Sequence, residues 1–231
     1  MTISNAHFDA NQMLLAVRTD YEKNRMATNK NYVDLMLNQL QDFDIISFDV
    51  FDTVVTRLVE CPIDVFAFIE AKLVSQGYIL ARGFAKNRLL AEQQARNTAF
   101  NKNRAEEITI DEIYNALVAQ FGYTQDFANA AKSCEVSSEI DLCVAISDHS
   151  ELISQLKKLG KTIIFVSDMY LHPQDIEMIL KTNGFDNYDY LFVSSFFGKT
   201  KHSGKIWTEV KNVVGNEKKS FILETISMRM L

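Results

Sequence analysis

Residues Ile46 to Val55 run ISFDVFDTVV, and the fold turns on how this stretch is read. With Ile45 before it, the apolar set Ile45, Ile46 and Phe48 reads as a short buried strand. The strand stops on a carboxylate, Asp49, and passes into a polar turn containing Asp52 and Thr53. Ligands in open parallel sheets bind outside the carboxyl ends of the strands. The expectation is an α/β sheet with Asp49 pointing into its crevice, where enzymes of this class put a nucleophile.

Two later stretches repeat the pattern. Lys161 to Leu171, KTIIFVSDMYL, is an apolar strand ending in a hydroxyl, Ser167, and Tyr190 to Trp207 carries the strand YLFVSS into FFGKTKHSGKIW. Phe221 to Leu223 would start a fourth strand. Between the first two, from Pro62 to about Leu159, no convincing strand pattern occurs and helix signals follow one another. Pro62 suits a first helical turn and Gly77 a stop; Thr109 with Glu112 opens a helix in capping-box fashion and Gly122 closes it. Gln125 to Leu142 is helical, and SDHSELISQLKKLGK is an amphipathic helix ending at Gly160. Residues 1–42 are polar with helical period, placing Met13, Leu14, Val17 and Tyr21 on one face and Val33, Leu37 and Leu40 on another. They read as a helical extension that covers the core or meets a partner.

The three strand ends in this order resemble the haloacid dehalogenase superfamily over Phe43 to about Phe221, and most closely its predicted hydrolases that share FDVFDT and SDMYL and accompany glycosyltransferases of surface polysaccharide synthesis. The resemblance implies a Rossmann-like parallel sheet formed by residues 43–61 and 160–231. It also implies a helical cap at 62–159 and, here, an N-terminal helical extension at 1–42. Asp49 would be the nucleophile, Thr53 the accompanying hydroxyl residue, Ser167 a hydroxyl donor and Lys201, followed by Gly204, the fixed positive charge; Lys199 is the alternative. Mg2+ would be held by Asp49 and the backbone carbonyl of Phe51, and the substrate would be a small phosphate ester. Arg82, Lys86, Arg88, Arg96 and Lys102 lie on the insert. Lining the mouth of a cap is one reading of them and solvated helix faces the other.

Two departures from the superfamily pattern stand out. Its phosphatases carry a second Asp two residues after the nucleophile, whereas this chain has Phe51, as in the dehalogenase branch, and places Asp52 one position later where Gly is usual. Either Asp52 swings in as general acid and base, or it bonds the turn amides and the chemistry needs no acid. Second, the fourth motif, Gly-Asp with a further Asp downstream, is missing from SFILETISMRML. The core is therefore expected to be incomplete at its C-terminus and Mg2+ binding weak. Synonymous codons for Ile222 to Leu231, read one base out of frame, permit IGDNIYADA. A fourth motif has that form, so a single-base frameshift near codons 218 to 222 is expected.

Composition narrows the functional classes. With 231 residues, 47% apolar, 23% charged and a net charge of −6, the chain has room for one core plus a lesser module. Its basic residues are dispersed, which argues against a nucleic-acid groove and against an anionic membrane surface. No apolar run approaches the roughly 18 residues of a membrane span, and MTISNAHFDANQ lacks the character of a signal peptide, so the cytoplasm is the expected compartment. Cys61, Cys134 and Cys143 lack metal-ligand spacing, and His7, His149, His172 and His202 are scattered.

The expected activity is that of a Mg2+-dependent phosphatase acting through an aspartyl-phosphate. The alternatives are a dehalogenase-like hydrolase and a non-catalytic remnant or binding protein. A nucleotide read from codon 215 to about two hundred bases past the stop, a span set by the size of an α/β domain, should show Ile-Gly-Asp-Asn in another frame. Its absence from every frame would establish the short tail as genuine.

Overall fold

The computed structural model of the chain describes residues 10–24, 27–215 and 219–223. They fall into two compact units. Residues 10–24, Leu58–Thr98 and Ile110–Leu142 form one, and residues 27–57, Ala99–Thr109 and 143–223 the other. The sequence-based ranges divide the chain differently. The 27–42 stretch, Ala99–Thr109 and Ser147–Lys158 all fold with the sheet, although the first was read as extension and the others as cap.

The sheet unit is an α/β layer structure. Its strands are β1 (Ile45–Phe48), β2 (Val55–Arg57), β3 (Cys143–Ala145), β4 (Thr162–Ser167), β5 (Tyr190–Val193) and β6 (Ser220–Leu223). Four of them make one parallel sheet in the order β5-β4-β1-β6. All four residues of β1 are buried, as expected for a central strand covered on both faces. Its neighbours are in register: Phe48 faces Phe165 of β4 and Leu223 of β6. Ile45, Ile164 and Val166 pack one face against Ile206 and Val210 of an amphipathic helix, Ile206–Val214. On the other face lie the helices Lys30–Leu40 and Ser147–Lys158, through Val33, Leu40, Leu152 and Leu156.

Strands β2 and β3 form a separate antiparallel pair, Val55 opposite Ala145 and Arg57 opposite Cys143. The sequence reading expected no strand between Pro62 and Leu159, so β3 corrects it. A three-residue strand is too short to show a period of two. Ser194 and Ser195, read as the end of a strand, instead open a short helix, Ser194–Phe197. The helix Pro173–Thr182 starts on Pro173 as expected, and Asp175 accepts the His172 N–H at 3.2 Å.

The helical unit contains Ala10–Asn24, Asp64–Ser75, Ile110–Phe121, Gln125–Leu142 and most of Phe84–Asn103. Arg88 was read as a cap-mouth or solvated residue; it is fully buried. Its Nε and Nη2 donate to the two oxygens of Glu135 at 2.8 and 2.7 Å, and Nη1 donates to Glu92 at 3.0 Å. Tyr114 also donates to Glu135, at 2.8 Å, and the guanidinium lies 4.6 Å from the centroid of Phe66. The fork of a guanidinium suits bidentate pairing in a dry site, where an unmatched charge would be costly. Among the described residues no helix is long and apolar enough to cross a membrane.

Arg88→Ala leaves Glu135 charged and stranded in the core. It should cost about 3–5 kcal/mol, measured by urea unfolding, and Arg88→Met combined with Glu135→Leu should cost less because no charge is left behind.

Candidate active site

Asp49 follows directly on β1, where the sheet ends. Its Oδ1 accepts the Val50 N–H at 2.8 Å and pairs with Lys201 Nζ at 2.9 Å, the two side chains being 22% and 16% exposed. Phe48 and Val50 are buried while Asp49 and Phe51 are partly open. Alternate residues of an extended chain share a face, so Asp49 and Phe51 occupy the same open side. The Phe51 ring carries the Arg57 guanidinium 4.1 Å from its centroid.

The chain then turns sharply. Val54 and Val55 donate to the Val50 carbonyl at 3.0 and 3.1 Å, and the Asp52 N–H donates to Val55 at 2.7 Å. Asp52 adopts a left-handed conformation, φ 58°, which Asp tolerates better than most side chains. That explains how it fills a position where glycine is usual. Its carboxylate is exposed and accepts from Thr56 Oγ1 at 3.3 Å. The bond thus goes to a β2 hydroxyl, neither of the two roles considered from sequence.

The start of the Ser147–Lys158 helix grips the same turn. Ile146 N–H donates to the Val54 carbonyl at 2.9 Å, and His149 Nδ1 bonds the carbonyl of buried Thr53. A carbonyl only accepts, so Nδ1 carries the hydrogen, and neutral Nε2 receives the Tyr32 hydroxyl at 2.9 Å. Burial pushes the His149 pKa below the ordinary imidazole value; the Thr53 carbonyl and Asp148 pull less strongly the other way.

Ser167 closes β4 and is buried. The next residue, Asp168, was not singled out from sequence. Both its oxygens accept the Lys201 backbone N–H at 2.9 Å, fixing the chain from which the Lys201 ammonium reaches Asp49. Burial raises the Asp168 pKa, with the Glu107 carboxylate adding to the rise, against the pull of the Lys201 amide and charge. Lys199, the alternative, is paired with Glu209. The Gly204 N–H closes back on the Lys201 carbonyl at 2.9 Å with φ 77°, the turn that spaces this lysine from its glycine. His202 is exposed.

Two glutamates were also missed. Glu107 accepts the Ser194 hydroxyl at 2.9 Å, and that hydroxyl accepts the Met169 N–H at 2.9 Å, joining the ends of β4 and β5. Glu106 pairs with Lys205 and accepts the Ser203 hydroxyl at 2.6 Å. Their adjacency in RAEEIT was the available signal, but nothing local shows where it folds.

The fit to Mg2+ is poor. Among the described residues no group of three or more His, Cys, Asp or Glu converges to hold a metal. Asp49 is matched by Lys201, Asp168 holds an amide and Asp52 bonds Thr56. The tail beyond position 223, where the frameshift reading falls, lies outside the described residues.

No family model matches the chain, and no curated protein matches it by sequence. Solved structures do. The defluorinating L-2-haloacid dehalogenase Rha0230 is similar at a TM-score of 0.53 and 15% identity, over 79% of this chain and 73% of that one. The HAD-hydrolase YfnB from Bacillus subtilis, bound to magnesium, is similar at 0.52 and 18%, over 79% of each. The L-2-haloacid dehalogenase RSc1362 is similar at 0.51 and 12%, over 80% and 79%. The chain therefore has the fold of the haloacid dehalogenase superfamily.

Because His149 is held neutral, its folded pKa lies below the unfolded one. As pH falls below the ordinary imidazole range the unfolded chain takes up a proton that the folded chain resists, so stability declines with acidification. Urea unfolding at pH 5.5 and 7.5 should show this decline, and His149→Gln should flatten it.

Proposed function

We propose that the chain is a hydrolase whose Asp49 carboxylate attacks the phosphorus of a small phosphate ester. The observation that carries the reading is the Asp49–Lys201 pair at the open end of the central strand, 2.9 Å apart. A neighbouring ammonium favours the ionised, nucleophilic carboxylate. In the first step an Asp49 oxygen bonds to phosphorus while the bond to the leaving oxygen breaks, giving an aspartyl-phosphate and an alcohol. Water then attacks the same phosphorus, releasing inorganic phosphate and restoring the carboxylate. Negative charge spreads over the equatorial oxygens during both transfers. Lys201 supplies positive charge there and Ser167 a hydroxyl donor. Asp168, by holding the Lys201 amide, keeps the ammonium in reach.

Bound Mg2+ would supply further positive charge, as the magnesium reported with YfnB makes pertinent. It wants about six oxygens in octahedral array, and the candidates here are Asp49 and the Phe51 carbonyl, so binding is weak. The resemblance to hydrolases accompanying glycosyltransferases favours a sugar phosphate. A second reading, a dehalogenase-like hydrolase acting at carbon, is favoured by Phe51. That ring has no proton to give, and a departing halide needs none. The names of Rha0230 and RSc1362 bear on the same reading.

Phosphate release from p-nitrophenyl phosphate and a panel of sugar phosphates should fall at least about a thousandfold in Asp49→Asn, as loss of a nucleophile does elsewhere. Activity that survives in Asp49→Asn would sink the reading. Asp52→Asn separates the roles of the second carboxylate, since loss of turnover there would make Asp52 the acid and base. Halide release from 2-haloacids without added Mg2+ would favour the second reading.

A further inference from the structure

We propose that Arg57, stacked on Phe51, is a substrate-contacting residue that binds the anionic group of the substrate beside Asp49. The inference rests on the phosphoryl-transfer reading for its chemistry and on independent geometry for its location. Asp49 and Phe51 are the two partly open positions of an alternating stretch whose neighbours, Phe48 and Val50, are buried. Residues two apart in an extended chain stand about 7 Å apart on one face. The guanidinium 4.1 Å from the Phe51 centroid is therefore on the nucleophile's side of the chain. The turn is built to keep it there. Phe51 and Val55 form a β-bridge, Asp52 bonds both Val55 and Thr56, and Arg57 sits in register with Cys143 on β3.

Charge arithmetic calls for such a group. The described carboxylates at this edge are Asp49, Asp168 and Glu107, while the Lys201 ammonium is already matched by Asp49. A phosphoryl dianion entering this edge needs more positive charge than Lys201 provides. Guanidinium is suited to the place, because it stays charged at any working pH, offers five donors in a planar fork and lies flat on an aromatic ring. A lysine there would keep the charge but lose the stack. The ring and the cation thus act as a unit in which Phe51 is a platform and Arg57 the anion contact.

The test is binding of inorganic phosphate to the full chain, followed by 31P line broadening and by calorimetry. Wild type is expected to bind, with Arg57→Ala at least about tenfold weaker, a difference of about 1.4 kcal/mol. Arg57→Lys and Phe51→Leu should fall between, and Arg18→Ala, whose guanidinium lies by Glu22 on the first helix, should match wild type. Phosphate binding that is absent in wild type, or undiminished in Arg57→Ala, overturns the proposal. Should Arg57→Ala not fold, Phe51→Leu with wild-type affinity does the same. Asp49→Asn separates this inference from the proposed reaction. Phosphate binding through Arg57 without Asp49-dependent turnover leaves the anion site standing and removes the phosphatase reading.

Discussion

Strand β1 is flanked by two parallel partners in strict register, and the site depends on that constraint. Because Phe48 is level with Phe165 and Leu223, the strands finish together, and whatever follows each one emerges at the same edge. Asp49, Asp168 and Ser194 come from stretches far apart in sequence and meet through this levelling alone. The same burial sets the electrostatics. A carboxylate at the mouth of a dry sheet is costly unless matched, and Lys201 supplies the match at 2.9 Å.

Most of the holding is done by bonds to backbone. Asp168 fixes the amide of Lys201, Ser194 that of Met169, and His149 the carbonyl of Thr53. Backbone groups cannot be moved without moving the chain, so each such bond places a loop and not merely a side chain. The nucleophile turn is thereby gripped through its Thr53 and Val54 carbonyls from the start of one helix, while the Lys201 loop is gripped from the end of β4. Two loops held from opposite directions present an ion pair between them with little freedom to drift.

The sequence revealed what short-range pattern encodes. Strands β1, β4 and β5 were legible because buried parallel strands are nearly continuous apolar runs, and Asp49 and Ser167 were legible as the residues that end them. Lys201 and Lys199 were not separable, since two residues of loop decide which ammonium turns inward and the deciding bond comes from Asp168, 33 positions away. Glu107 and His149 were invisible for the same reason, their bonds to Ser194 and Thr53 spanning 87 and 96 positions. Arg88 was misread because charge on a helix normally means solvent. Its partner Glu135 lies 47 residues on, beyond any window that measures amphipathicity.

Asp52 shows how one substitution in a turn reorganises its surroundings. A left-handed backbone costs a non-glycine residue roughly 1–2 kcal/mol, so glycine would be the easier choice at φ 58°. What glycine cannot do is reach Thr56. The Asp52 amide bonds Val55 and its carboxylate bonds Thr56, one on each of two successive residues of β2. The strained residue thus ties the turn to the strand that ends in Arg57, and Arg57 in turn lies on the ring of Phe51. The second carboxylate of FDVFDT is used to align a cation and a ring with the nucleophile. A chain with Asp at 51 and Gly at 52 would have an acid beside Asp49 but neither the aromatic platform nor the tether. The two departures at adjacent positions, Phe51 and Asp52, are therefore one structural change.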